Sequence, residues 1–126
     1  MKNKLDLRKN GETSYDYSND ILFVKAKDKD YSESIELNNV VIDLDFEWGV
    51  IGIRFFDASE VFNISKNALK SIKELEFNIN VEDNTVSMNL WFNYSLPDKS
   101  ILSHGQNLVR EVVSTELKNS EISCTA

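Results

Sequence analysis

Five aspartates in the first half of the chain, Asp16, Asp20, Asp43, Asp45 and Asp57, are the side chains best suited by type to do chemistry. Paired carboxylates exchange protons or hold a hard cation such as Mg²⁺. Asp43 and Asp45 stand two residues apart, so a strand would put them on one face, about 6.6 Å apart given its rise per residue. With Arg54 they make up the candidate cation or polar site, and the residue types do not identify a metal. No twelve-residue calcium loop is present. A structural alternative stands beside this reading and has the better claim. Asp43 would pair with Arg54, while Asp16, Asp20 and Asp57 cap turns, a task for which Asp is well suited beside Ser and Asn.

The other reactive types are sparse. His104 is the only histidine and lies in Ser103-His104-Gly105, which reads as a surface loop. Cys124 is the only cysteine, so no internal disulfide forms, and one His with one Cys is too few for a zinc site. It reads as an inert thiol, with no basic neighbour to activate it. No Gly-x-Ser-x-Gly elbow supports a serine nucleophile. Gly11, Gly49, Gly52 and Gly105 are scattered rather than gathered into a phosphate loop. No catalytic residue is assigned and no cofactor is expected. Trp48, at a turn tip, and Trp91, on a polar strand face, are the interaction candidates, because exposed tryptophan is enriched at interfaces. Alternatively, another element covers each of them.

Hydrophobic spacing gives the elements that must position these residues. Ile21–Val24 is a short apolar run, the mark of a strand buried on both faces. A strand over 31–37 meets the next at Asn38-Asn39, since Asn tolerates positive φ. In the strand over 40–46, Ile42, Leu44 and Phe46 share one face; in that over 50–56, Ile51, Ile53 and Phe55 do. Pairing Phe46 with Ile51 would stack three apolar pairs and set Asp43 opposite Arg54. A slip of two residues would keep the faces and lose that ion pair. Asp57 with Glu60 has the offset of a capping box, and Ser65 is a second N-cap for a helix over about 66–72. Lys66, Lys70 and Lys73 read as its solvated side.

Residues 74–94 have the pattern of a β-hairpin. Leu75, Phe77, Ile79 and Val81 alternate with polar residues, as do Val86, Met88, Leu90 and Phe92, around a turn at Asp83-Asn84. In the tail, Leu108, Val109, Val112, Val113 and Leu117 keep helical offsets, which predicts a helix over 106–117. The valines and threonine there favour a strand instead; the rival is a hairpin turning at Lys118-Asn119 into a last strand over 120–125.

The chain has 126 residues, a net charge of −7, 41% hydrophobic residues and 10% aromatics. This fits one folded domain over 13–126, preceded by a weakly ordered N-terminus over 1–12. The fold class is α+β and β-rich: an antiparallel sheet of six or seven strands carrying one or two short helices. The acidic balance argues against nucleic acid or an anionic membrane as partner. No segment reads as a secretory signal or a membrane span, so the cytoplasm is the expected compartment.

Tyr15-Asp16, Asp20 with Leu22, Asp43-Leu44-Asp45, Gly52-Ile53 and Asp57-Ala58-Ser59 form an ordered pattern over about residues 15–60. It resembles the YuzE-like family of small prokaryotic proteins of unknown function. The resemblance implies a small β-rich domain from a bacterium or archaeon and no established activity, so no catalytic residue is carried over. Arg54 stands where the family has a glutamate after Gly-Ile, and an arginine in an acidic cluster opposes a bound cation. The turn glycine is displaced to Gly49, with Trp48 in its usual place, and residues 65–126 extend beyond short family members. Few catalytic types, surplus aromatics and open sheet edges together predict a non-enzymatic interaction module that self-associates as a homodimer. The rival is a small metal-dependent enzyme built on the aspartates.

Overall fold

The computed structural model describes residues 9–27, 29–47, 49–113 and 115–126. Chain order is β1 (Lys9–Asp16), β2 (Ile21–Ala26), β3 (Glu33–Leu37), β4 (Val40–Leu44), β5 (Val50–Phe56), α1 (Ala58–Phe62), α2 (Lys66–Lys70), β6 (Ile72–Glu82), β7 (Thr85–Ser95), β8 (Ile101–Glu111) and β9 (Ser120–Thr125). The nine strands form one sheet in the order β3-β4-β5-β2-β1-β9-β6-β7-β8. It is larger than the expected six or seven strands, and it is mixed: β1 and β9 run parallel, joined at Lys9↔Cys124 and Asn10↔Thr125. Two β-rich halves, each antiparallel within itself, meet at that seam. Residues 1–8 of the expected weakly ordered terminus lie outside the described residues, and from Lys9 the chain belongs to β1.

The sheet curls so that both halves share one core. Phe55 of β5 lies 5.1 Å, centroid to centroid, from Phe62 of α1, which lies 6.1 Å from Phe92 of β7. Phe62 thus joins the halves, and Ala58 and Phe62 are the buried side of α1. Ser65 caps α2 by accepting from the Ala68 N–H at 3.1 Å.

The β6–β7 hairpin has the register its alternation dictates: Val81↔Val86, Ile79↔Met88, Phe77↔Leu90 and Leu75↔Phe92. Asp83 and Asn84 both take positive φ, as a two-residue turn matched to strand twist requires. The β4–β5 pair differs from the stacked register. Ile42 faces Ile53, Val40 faces Phe55, and a bulge between Asp43 and Leu44 sets Leu44 opposite Val50. This is the two-residue slip. Phe46 falls in the turn beyond β4, 75% exposed, and Ile51 is on the face opposite the core-lining Ile53. β2 is buried on one face, by Leu22, Val24 and Ala26, rather than on both.

The tail departs most from its pattern. Residues 101–111 are a strand, β8, rather than part of a helix over 106–117. β8 pairs along its whole length with β7, from Ile101↔Ser95 to Glu111↔Thr85. A mate of eleven residues outweighs a weak helical spacing in a valine-containing segment. β9 does form over 120–125, but its partners are β6 and β1.

Gly52 sits where β2 and β5 approach closely. A Cβ there would stand 2.6 Å from the Val24 carbonyl oxygen and 3.1 Å from the Lys25 Cα. Backbone on a central strand cannot yield cheaply. Gly52→Ala is expected to cost about 1–3 kcal/mol of stability, read as a lower urea midpoint; an unchanged midpoint would contradict the crowding.

Candidate functional site

The first polar constellation lies where the β1–β2 turn meets α1. The Asp20 carboxylate accepts from the Tyr15 hydroxyl at 2.6 Å, the Ser59 hydroxyl at 2.6 Å and the Ser59 N–H at 3.1 Å. Its carbonyl accepts from the Ala58 N–H at 3.0 Å. The cap of α1 therefore comes from a residue 39 positions away from Ser59. Asp57, which holds the N-cap position at φ 53°, makes no side-chain cap, so the capping-box pattern is not used. Burial opposes the charge on Asp20, but hydrogen bonds from Ser59 and Tyr15 outweigh it and hold the carboxyl below its ordinary range. Burial, and then the bond to Asp20, push the Tyr15 phenol upward. Beside this knot, Asp16 accepts from the side chain and backbone of Asn19, and these bonds lower its carboxyl. Lys66 and Lys70 place their ammonium groups 4.6 and 5.1 Å from the Tyr17 ring centroid, so two of the three lysines of the solvated row engage an aromatic face.

The second constellation is on the convex face of the first half. Asp43 is 4% exposed. Its Oδ1 accepts from Arg54 Nη2 and from the Ser34 hydroxyl, both at 2.8 Å. Arg54 stands opposite Val41 rather than Asp43, and its long side chain reaches diagonally to make the pair. The ion pair therefore survives the slip that should have removed it. Phe23, Lys25, Tyr31 and Ile51 complete the walls of an open hollow of about 380 Å³ around it. Asp45 does not share this face. It lies past the end of β4 and accepts from the Glu47 and Gly49 N–H groups, each at 2.9 Å.

Asp16, Asp20 and Asp57 thus lie around the start of α1, apart from Asp43 and Asp45; Asp57 accepts from the Glu60 and Val61 N–H groups through its carbonyl, and the other four accept through their carboxylates. Among the described residues no three His, Cys, Asp or Glu side chains gather so as to hold a metal ion. Trp48 lies outside the described residues. Trp91 is 39% exposed on the wet face of β7, beside a groove of about 310 Å³ shared with Glu76, Asn78, Asn89, Asn107 and Ser123. His104 is not in a surface loop. It sits half-buried in β8, its ring 5.3 Å from that of Phe92, with Nε2 3.0 Å from Gln106 Oε1. Cys124 is buried in β9.

One surface was missed from the sequence. β8 ends the sheet order, so among the described residues no strand lies beside its far edge. Ile101 (62%), Leu102 and Val109 (59%) are exposed along it. The available signal was a pair of apolar residues at each end of a polar, proline-free stretch; the helical reading hid it.

Fold and sites define a small protein of one curled mixed sheet in which the buried Asp43 carboxylate is neutralised by Arg54. Residues 12–59 match the family model described as a protein of unknown function, DUF2283. The chain is 27% identical over 123 residues to an uncharacterised protein of Methanocaldococcus jannaschii, covering 97% of each. It is 29% identical over 106 residues to a Methanosarcina mazei protein that carries the provisional name hypoxanthine phosphoribosyltransferase, covering 81% of this chain and 86% of that one. No solved structure matches it. Among the described residues no helix is long and apolar enough to cross a membrane.

Proposed function

We propose that this protein is a non-enzymatic interaction module that associates with copies of itself through the free edge of β8. The observation that carries this reading is the edge itself. It is eleven residues long, contains no proline and has its only charges, Arg110 and Glu111, at one end. Unpaired backbone groups flanked by exposed apolar side chains form a template for another strand. The opposite edge is guarded: β3 has five residues, of which Glu33 and Glu36 are charged. The YuzE-like resemblance, over about residues 15–60, overlaps the matched segment 12–59 and supplies no competing activity. The expected compartment is a reducing cytoplasm, in keeping with the single buried thiol.

The name of the M. mazei relative suggests phosphoribosyl transfer as a second reading. A glycine-rich loop opening a helix is a common way to hold a phosphate. Here Gly11, Gly52 and Gly105 lie within strands and both described helices have five residues. The geometry favours association.

Size-exclusion chromatography with light scattering tests the proposal. The expected result is twice the monomer mass at high concentration, falling toward the monomer on dilution. A monomer mass throughout the accessible concentration range would refute it.

A further inference from the structure

We infer that two copies pair β8 to β8 in antiparallel fashion about a two-fold axis at Gly105, making one continuous sheet. This rests on the self-association reading and specifies its partner surface and register. The stretch Ile101-Leu102-Ser103-His104-Gly105-Gln106-Asn107-Leu108-Val109 is symmetric in character: two apolar residues, two polar, a glycine, two polar, two apolar. An antiparallel pair centred on Gly105 puts Ile101 opposite the partner's Val109 and Leu102 opposite the partner's Leu108, each twice by symmetry. Directly opposed residues share a face, so the Ile101–Val109 pairs lie on the wet side and the Leu102–Leu108 pairs on the core side. The latter extend the shared core past its open end. Centring on Gln106 instead sets Ile101 against Glu111 and Leu102 against Arg110. Centring on His104 sets Ile101 against Asn107. Only the Gly105 axis matches all four apolar residues with apolar residues.

The axis residue itself fits. A two-fold sets the axis residue beside its own copy, and two glycines there leave that part of the wet face open. Within one copy, Gly105 stands opposite Trp91. A Cβ on Gly105 would meet nothing within 4 Å, so the space beside it is open. In the pair, Trp91 of each copy flanks a floor of two glycines, and the indoles cover it from both sides as aromatics cover glycines in sheets. Roughly eight to ten backbone hydrogen bonds close the seam, two at every second residue pair.

Single cysteines read this register. Gly105→Cys is accommodated by the open space, and circular dichroism checks that it and its companions fold. Under mild oxidation Gly105→Cys is expected to form a disulfide-linked dimer. Ser103→Cys and Asn107→Cys alone are expected not to, because each would lie about 13 Å from its own copy. An equal mixture of those two is expected to cross-link, since Ser103 faces the partner's Asn107. Wild type, with Cys124 buried, supplies the background. A light-scattering dimer in which Gly105→Cys fails to cross-link, or Ser103→Cys links to itself, overturns the register and leaves the association reading standing. A monomer at every concentration overturns both.

Discussion

Arg54→Ala is expected to lower the stability of the protein by about 3–5 kcal/mol. Asp43 is almost wholly buried, and the guanidinium of Arg54 contacts both of its carboxylate oxygens, at 2.8 and 3.3 Å. Removing the cation leaves a carboxylate shielded from water, with the Ser34 hydroxyl still donating to it. An uncompensated buried charge is far costlier than the net worth of the pair. Asp43→Asn should therefore cost less, about 1–2 kcal/mol, because an amide oxygen still accepts from Arg54 and Ser34 and the cation that loses its partner is about a third exposed to water. Replacing both residues by leucine should recover much of the loss. Urea unfolding of the three variants measures this ordering. If Arg54→Ala lies within about 1 kcal/mol of wild type, or is milder than Asp43→Asn, the ion pair is not what holds this face.

Asp20→Ala should be nearly as damaging, at about 2–4 kcal/mol. It deletes the acceptor for the Tyr15 hydroxyl, the Ser59 hydroxyl and the Ser59 N–H. It also puts alanine at φ 57°, where Asn and Asp are tolerated and a plain Cβ is strained. Asp20→Asn keeps the backbone and an acceptor and should cost about 1 kcal/mol. The two variants also separate charge from shape. The Asp20 carboxyl is held below its ordinary value of about 3.9, so its contribution is complete above that pH and is lost as pH falls through the depressed value. Stability measured from pH 6 down to pH 2 should fall more steeply for wild type than for Asp20→Asn. Parallel curves would mean that the knot does not discriminate the ionised form.

Both predictions concern residues that stand out in the sequence as candidates for chemistry, and in both the fold uses them to close its own backbone and charge. The sequence could show that Asp43 and Arg54 lie on adjoining strands of matching face. It could not show that β4 pairs with β5 two residues away from the stacked register, because alternation with period 2 is satisfied equally by either pairing. It could not show that a long arginine would still reach the aspartate diagonally. The cap of α1 was illegible for another reason. Asp57 and Glu60 carry a local capping pattern, whereas the residue that caps arrives from the β1–β2 turn, a partnership no short-range rule contains.

What the sequence determined by itself is local. The alternation over 74–94 set the β6–β7 hairpin with its register and turn, because every apolar residue there had only one way to meet another and stay dry. Ser65 set the start of α2, and the positive φ of Asn38, Asp83 and Asn84 follows from residue type. Tertiary structure decided the rest. The tail of 101–111 became a strand because β7 offered a full-length mate, overriding its helical spacing. The parallel seam of β1 with β9 joins residues more than a hundred positions apart and turns two small sheets into one. That closure gives each of the seven inner strands a neighbour on both edges and leaves β8 at one end of the order, with β3 at the other. The site of association proposed here follows from that position, which depends on the fold of the whole chain.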